Sequence, residues 1–553
     1  MHTELQFIEK DQSLPIPRSP LIWIIIPLSL GYLVFSSVIV LPSILGGIAL
    51  LTACLAILCS RSSHLSWQRG GLILLILSLV SAGGFNLSLR EQAIPEIWNS
   101  LPPREVDLTL RLERAVTTHT EHPYTRGIGK IITAPSHSPE LQSHRVSFIL
   151  NNQNMTTPSI SGSYRIRGVL HPPEEIPNPY SPPNVHFNLR QGSFIKEVQA
   201  PNYYHQILND LTDSCSQALA QYHPTQDGAQ ILTAMVLGQR SQLSDQDKRA
   251  FIRSGTMHLF AVSGLHVLAV STTFYYLVLF LPISPRFRAI LTLLLSGIYV
   301  LIVGAAPSAI RAFLMITFYL SADLFNRPKK PFPALTASAL VVLLLDPYQL
   351  FSVGFQLSYL VVTSILLLGI PLAQFLNQQI QPFTFILRED ETWFHRSIRK
   401  GLRLLISSLA ISCSASLGSA PIILLYFGIV NLGAFLLNAL LVPIASLIVI
   451  DGILILLFSL LGLSGIGAFL SYGAHLLIQI MTFAVDAALR IPGFTLERVW
   501  TSSSLAYLSS AGLLGLLIFL PVLLKGNPRY TVFRYILPFL WVCLTITLGS
   551  QMG

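Results

Sequence analysis

The segment from Ser254 to His266, SGTMHLFAVSGLH, holds the densest cluster of side chains that could do chemistry. Ser263 and His266 stand three residues apart and therefore share one face of a helix. A serine beside a histidine is the pairing of a nucleophile with its general base, so an intramembrane serine hydrolase is one hypothesis. The segment lacks the second glycine that such proteases place before the serine. Helix packing through small residues such as Gly264 explains the same pattern without catalysis.

Three breaks in the apolar runs place polar residues at membrane depth. Irregular backbone is tolerated there only where protein or a water-filled cavity satisfies its polar groups. The breaks comprise residues 304–311 with Pro307 and Ser308, residues 346–359 with Gln356, and residues 431–443 with Asn438 and Pro443. A structural kink explains any single break, but three together favour a polar pathway through the membrane.

The first break ends in a cation, Arg311. Ionisable groups inside a membrane are costly and are functional hypotheses by default. A guanidinium beside a pore would suit the phosphates of a nucleic acid, whereas a side chain that reaches the interface would mean little. Asp451 and Asp486 also lie within apolar runs and could serve as relay or counter-ion groups. The sequence does not reveal whether either carboxylate pairs with Arg311.

Other motifs that would indicate an enzyme are missing from the sequence. The five cysteines are scattered through apolar segments, without the spacing of a metal site or a disulfide framework. The sequence contains neither an HExxH pattern nor a GxxxxGK[ST] phosphate loop. We therefore expect no metal, no cofactor and no ATPase activity from this chain.

Composition sets the class of protein that must position these residues. Of the 553 residues, 52% are hydrophobic and only 11% are charged, against roughly 25% charged in a typical soluble protein. A soluble enzyme is excluded, and long apolar runs predict a polytopic α-helical membrane protein. The predicted spans are Leu21–Leu41, Ser43–Cys59, Gly71–Leu89, His258–Leu281, Ala289–Val303, Ser308–Phe325, Ala334–Leu345, Phe351–Ile370, Leu404–Tyr426, Gly433–Leu460, Gly467–Leu489, Leu505–Leu524 and Val532–Leu548.

Between the two blocks of spans the apolar period falls to two, as in half-buried strands. The predicted strands are Val106–Glu113, Ile128–Thr133, Arg145–Leu150, Tyr164–Leu170 and Phe194–Val198. Five short strands suggest a small β-barrel. Residues 90–199 carry 11 Lys and Arg against 10 Asp and Glu, so a basic binding face would have to be local. Arg165 and Arg167 on one strand are candidates, and an ordinary solvated face is the alternative.

The sequence divides into four parts, with residues 1–89 forming the first spans and 90–200 the inserted β domain. Residues 201–257 hold connecting helices at the membrane surface, and 258–553 form the second helical domain. Tyr203–Tyr222 predicts an amphipathic helix that lies on the membrane, packs on the protein, or does both.

Basic residues in the loops place the N-terminus in the cytoplasm and residues 90–257 outside it. The same rule leaves the C-terminus outside. Gly433–Leu460 is long enough to be two short segments, and the C-terminus would then lie on the cytoplasmic side. Ala334–Leu345 is short enough to be a half-helix.

The motif from Ser254 to His266, preceded by AFIR, closely resembles the signature of the ComEC-type competence protein family. Further similar motifs are LGQR at 237–240, PSAIRA at 307–312, GFQLSY at 354–359, and Asn438 with Pro443. The resemblance extends over nearly the whole chain, including the order of short spans, β domain, amphipathic stretch and second helical block. The resemblance does not include the metallo-β-lactamase-like domain that many members of the family have.

The resemblance implies an inner-membrane channel that passes one strand of incoming DNA into the cytoplasm during natural transformation. It also implies an external OB-fold, where Tyr164, Arg165 and Arg167 are our candidate contacts. Expected partners are DNA, membrane lipid, a separate nuclease, a periplasmic DNA receptor and a cytoplasmic DNA motor. The channel would be lined near Pro307, Ser308, Arg311, Gln356, Asn438 and Pro443, with Ser263, Gly264 and His266 shaping it. A transporter of a smaller anion is the alternative of another class.

Overall fold

The computed structural model describes a helical membrane protein with an inserted barrel. The described residues are 19–36, 41–60, 65–90, 102–117, 124–135, 138–151, 159–171, 185, 187–380, 392–431, 433–491, 495–524 and 532–552. Within these ranges, eight helices are long and apolar enough to cross a membrane. The predicted class, a polytopic helical protein with a small β-barrel, is confirmed.

The N-terminal bundle consists of α1 (Ile22–Phe35), α2 (Pro42–Ser60) and α3 (Leu65–Ser88). Helices α1 and α3 pack backbone against backbone, because a Cβ atom added at Gly31 would lie 2.1 Å from the Val80 carbonyl oxygen. Such close approach through small residues drives helix association in lipid, where apolar burial gives no advantage. The first predicted span, to Leu41, reaches residues 37–40, which lie outside the described residues.

The inserted domain is a closed five-stranded barrel. Its strands are β1 (Arg104–Thr117), β2 (Tyr124–Thr133), β3 (Arg145–Asn151), β4 (Ser163–His171) and β5 (Phe187–Gln199). They close in the order β1-β2-β3-β5-β4, with β3 and β5 parallel and the other neighbours antiparallel. This is the topology of an OB-like barrel.

The alternating pattern of β1 is confirmed, since Val106, Leu108, Leu110 and Leu112 are all buried in the barrel core. The fifth strand begins seven residues before the predicted Phe194, at Phe187. Gln191, which has a φ of 52°, interrupts its alternation, and the pairing with β4 shifts register nearby. A period of two is therefore hidden in the first half of this strand.

Three helices connect the barrel to the second helical domain: α4 (Tyr203–Gln221), α5 (Gln226–Leu237) and α6 (Asp245–Arg253). The start of the amphipathic α4 leaves Tyr204, Ile207 and Leu211 exposed, while Leu219 near its end is buried. By contrast, every residue of α5 from Gly228 onward is buried except Gln230, which is half-buried. Helix α5 is therefore a core element of the protein, and the placement of residues 201–257 at the membrane surface stays a prediction.

The second helical domain begins with α7 (Gly264–Leu279), α8 (Pro285–Ile302), α9 (Pro307–Leu324), α10 (Pro331–Leu345) and α11 (Val353–Ser364). One π-helical turn, Ile365–Gly369, joins α11 to α12 (Ile370–Gln379). The remaining helices are α13 (Trp393–Phe427), α14 (Ala434–Leu460), α15 (Ser464–Leu489), α16 (Ser503–Leu523) and α17 (Phe533–Gly549). The predicted start of a span at His258 is wrong, because Met257–Phe260 is a 3-10 turn and α7 begins only after Ser263.

A small sheet ties together three segments at one end of this domain. Its strands are β6 (Ile429–Asn431), β7 (Thr495–Trp500) and β8 (Ser550–Met552), in that order. The ends of α13, α15 and α17 therefore lie on the same side of the bundle. Helix α14 is continuous over 27 residues. It therefore does not divide into the two short segments that would have moved the C-terminus to the other side of the membrane.

Candidate functional site

Three helices of the second domain begin at one place. The Ser308 hydroxyl at the start of α9 donates to the Val262 carbonyl before α7, at 2.6 Å. A Cβ added at Gly264 would lie 3.6 Å from the Ala312 Cβ, so α7 and α9 meet closely. Arg311 connects α9 to the start of α11 through Gly354. The first turn of each helix presents backbone N–H groups without intrahelical partners, and such ends favour anions.

Arg311 is the charged group at this junction, and it is only 6% exposed. Its Nη2 donates to the Gly354 carbonyl at 2.8 Å, whereas its buried Nε has no hydrogen-bond partner among the residues that the structure describes. Among the described residues, no carboxylate forms an ion pair with it. A buried charge without a counter-ion is strongly unfavourable. Among the described residues, Arg311 therefore has the Gly354 carbonyl as its acceptor and no carboxylate as counter-ion.

The Ser263 and His266 pair forms the start of α7. The Ser263 N–H donates to His266 Nδ1 at 3.2 Å, and the Ser263 Oγ lies 2.8 Å from the same nitrogen. His266 Nε2 faces the Leu259 carbonyl without a hydrogen bond of good geometry. A catalytic base requires a third group to orient it, and none is found among the described residues. The contacts instead match helix capping, in which the side chain three residues into a helix accepts from the N-cap N–H.

The turn before α7 is held against β6. Gly255 has a φ of +74°, and a Cβ there would lie 2.2 Å from the Asn431 Nδ2 atom. Glycine satisfies both constraints at once. Ala305, in the turn before Pro307, also has positive φ, at 47°. Since that conformation is unfavourable for alanine, the surrounding packing must impose it. The first predicted break is thus an irregular turn that starts α9 rather than a kink within a helix.

The remaining predicted pathway residues are partly unsatisfied. Gln356 donates to the Leu350 carbonyl at 3.1 Å. Its Oε1 and the Asn438 Oδ1 are buried and have no hydrogen-bond partner among the described residues. Pro443 lies inside the continuous α14. Of the two candidate carboxylates, Asp486 is exposed.

Asp451 faces α15, where a Cβ added at Gly473 would lie 3.7 Å from its Oδ2. Neither it nor Asp486 is paired with Arg311 among the ion pairs of the described residues.

The predicted contacts on the barrel are less open than their sequence suggests. Tyr164 is 7% exposed and its hydroxyl accepts from the Ser159 N–H, which leaves no ring face for a base to stack on. Arg165 bonds both oxygens of Asp107, through its Nε and Nη2 atoms. This contact holds the pKa of the Asp107 carboxyl below its ordinary value. Arg167 lies 3.8 Å from the same carboxylate and 4.0 Å from Glu105.

Two cationic or titratable residues near the junction were absent from the predicted site. Arg240 donates to the Phe260 carbonyl at 3.1 Å, from the turn before α6. Burial lowers the pKa of Arg240, and the charge of Arg126 on β2 lowers it further. His258 is exposed, yet enough protein surrounds its ring to lower the imidazole pKa. The signal available was Arg240 itself, which ends the LGQR motif just before the signature.

Comparison with known proteins decides the family. Residues 235–523, just over half of the chain, match the family model described as Competence protein. The chain belongs to the competence protein family. ComE operon protein 3 of Bacillus subtilis (strain 168) is 30% identical over 270 residues, which are 49% of this chain and 31% of that protein. Recombination protein 2 of Haemophilus influenzae (strain ATCC 51907 / DSM 11121 / KW20 / Rd) is 26% identical over 285 residues, 49% of this chain and 34% of that protein.

The matched stretch spans about a third of the length of each curated relative. No solved structure matches the chain. The competence match contains α7, α9 and α11, and hence the whole junction around Arg311. The barrel precedes the matched region. The predicted resemblance to competence proteins is therefore confirmed, and it rests on the part of the chain where the helix ends converge.

Proposed function

We propose that this competence-family protein conducts a single strand of DNA across the inner membrane during natural transformation. The observation that carries the proposal is the buried Arg311 at three converging helix starts, which forms no ion pair within the described part of the chain. A phosphodiester supplies one negative charge per nucleotide, and its oxygens accept bonds from a guanidinium and from backbone N–H groups. A strand in transit would supply the missing anion one phosphate at a time.

The rest of the chain supports this function. An OB-like barrel is a scaffold that holds single-stranded nucleic acid in other proteins. The Gln356 Oε1 and Asn438 Oδ1 atoms, which are buried and have no partner within the described ranges, would line the same path. The proposal keeps the N-terminus in the cytoplasm and the barrel outside it. A separate nuclease, a DNA receptor and a cytoplasmic motor would act with this protein, since we propose no catalytic step within it.

The test follows fluorescent double-stranded DNA into cells of the source organism that lack the gene. We expect DNA to stay outside the cytoplasm until the wild-type gene is restored. Arg311→Gln should reduce transformants on the order of tenfold or more, because a charge-assisted hydrogen bond is worth about 1.5–3 kcal/mol. Arg311→Lys should recover part of the loss, since it keeps the charge but not the planar fork.

Arg403→Gln is the matched control, because Arg403 is an exposed cation at the start of α13, far along the chain from the junction. It should transform like wild type, with all variants compared at equal protein level in the membrane. If cells without the gene import DNA normally, the channel function is wrong. If import fails equally in the Arg311 and Arg403 variants, Arg311 has no special place on the path.

A further inference from the structure

One outer face of the barrel carries cations directly opposite one another. In the register of the strands, Arg111 of β1 is paired with Lys130 of β2, and Lys130 is paired with Arg145 of β3. Residues paired in this way point to the same face of the sheet. Arg111 and Lys130 are exposed and form no ion pair with any other described residue. Like charges directly opposite destabilise a sheet, so the fold itself gives no reason for this row.

The same face continues toward the tip of the β1–β2 hairpin. Arg114 of β1 is paired with Ile128 of β2, and Arg126 of β2 is paired with Ile149 of β3. Ile149 is 46% exposed. Glu113 is the carboxylate on this face, and it forms a 3.0 Å ion pair with Arg145. Among the described residues, five cations therefore share the face with one acidic residue. An exposed isoleucine among them offers an apolar surface to a sugar or base.

Where β1 pairs with β4, the outer surface of the barrel is electrically balanced. There, Asp107 and Glu105 of β1 pair with Arg165 and Arg167 of β4. A polyanion approaching that side would have to displace carboxylates from both guanidinium groups. On the basic face formed by β1, β2 and β3, Arg111 and Lys130 need no such displacement, whereas Arg145 is paired with Glu113. This face also includes β2 and β3, the strands that OB folds commonly use for ligands.

The basic face leads to the junction of helix starts. Arg126 on β2 is close enough to Arg240 for their charges to repel. Arg114 on β1 is similarly close to Arg311. In each of these pairs, the charge of a barrel cation acts on a cation of the helical domain. Repulsion across this boundary is relieved when a polyanion lies between the two domains.

We propose that Arg111, Arg114, Arg126, Lys130 and Arg145 form a phosphodiester track that hands a single strand to Arg240 and Arg311. The inference rests on the proposed function and adds to it the place where the strand lies before entering the membrane. The track holds phosphates by charge, while Ile149 packs against a sugar or base. In this proposal the external DNA contact lies on the face of β1, β2 and β3 and not on the paired arginines of β4.

The test measures binding of a fluorescent 20-nucleotide oligothymidylate to the full chain in phosphatidylcholine nanodiscs, by anisotropy at several salt concentrations. The track variant is Arg111→Gln with Lys130→Gln, and the matched control is Arg165→Gln with Arg167→Gln. Both remove two positive charges from the same barrel. Each lost phosphate contact lowers the salt slope by about 0.7 for a single strand, so the track variant should lose about 1.4 and bind on the order of tenfold more weakly. The control should bind nearly like wild type.

Thermal stability in the same nanodiscs separates binding from folding. Relief of the Arg111–Lys130 repulsion should leave the track variant at least as stable as wild type. Equal losses of affinity in the two variants would overturn the track, and so would a track variant that loses affinity only together with stability. If the basic face instead binds anionic lipid headgroups, the track variant and wild type should bind oligothymidylate equally. That result would also overturn the track. A wild-type chain that binds no oligothymidylate contradicts the proposed function instead.

Discussion

Ser263 shows how the same two side chains support two different hypotheses. Its hydroxyl lies 2.8 Å from His266 Nδ1, which a nucleophile and its base would also require. The structure favours capping, since the same nitrogen accepts the Ser263 N–H. We expect Ser263→Ala to cost about 1 kcal/mol of stability through one lost hydrogen bond. DNA import should be largely retained, and a fluorophosphonate probe should not label the wild-type protein.

Ser284 provides the control for that measurement. It precedes α8 as Ser263 precedes α7, but its side chain makes no capping bond. Ser284→Ala should therefore have the smaller effect on the fraction of folded protein that survives heating in detergent. Labelling of wild type but not of Ser263→Ala, together with loss of import in that variant, would restore the hydrolase hypothesis.

The residue types of the site could be predicted, but their partners could not. Arg311 stands out in the sequence as a cation within an apolar run. Its contact is a backbone carbonyl, that of Gly354, 43 positions along the chain. A carbonyl has no side-chain signature, so no pattern identifies it. Similarly, Arg165 looked like a free cation because Asp107, its partner, is brought beside it only by the pairing of β1 with β4.

At the scale of elements, the N-terminal bundle fixes the end of α10. The Tyr32 hydroxyl donates to the Leu343 carbonyl at 3.0 Å, and Asn86 donates to the Leu344 carbonyl at 3.3 Å. Arg90 donates to the carbonyls of Leu344 and Leu345. The last carbonyls of a helix have no intrahelical partners, and here α1, α3 and the residues after it supply them. Since α11 follows within eight residues, this clamp also holds the segment that carries Gly354.

We expect Tyr32→Phe to lower the free energy of unfolding by about 1 kcal/mol, because it leaves a buried carbonyl with one partner fewer. The measurement is thermal unfolding in detergent followed by size-exclusion chromatography. Tyr276→Phe is the control, since Tyr276 is 60% exposed on α7. Equal thermal stability of the two variants would show that the N-terminal bundle does not support α10.

The elements themselves were largely predictable, while their boundaries were not. Apolar runs located the helices because lipid demands a continuous stretch of apolar side chains. The start of α7 was misplaced by six residues, since residues 258–263 are as apolar as the helix that follows. Hydropathy does not distinguish a buried turn from a helix. The barrel strands were found by their period of two, except where a residue with positive φ shifted it.

At the scale of the whole molecule, the small sheet, the junction of helix starts and the barrel lie on one side of the bundle. The sheet of β6, β7 and β8 gathers the ends of α13, α15 and α17. Asn431 of β6 approaches Gly255 beside the junction, and the charge of Arg114 of the barrel acts on Arg311 there. The barrel and the last strand should therefore face the same compartment. The distribution of basic residues predicts that this compartment is outside the cytoplasm.

Cysteine labelling tests this arrangement in a background without the five native cysteines. Ser193 of β5 and Gln551 of β8 are exposed, as is Ser464 at the opposite end of α14 and α15. An impermeant maleimide should label Ser193→Cys and Gln551→Cys in intact spheroplasts, but Ser464→Cys only after permeabilisation. Reversed labelling of all three would contradict the predicted orientation and leave the fold intact. Opposite labelling of Ser193→Cys and Gln551→Cys would contradict the fold, because the junction and the sheet hold those two positions on one side.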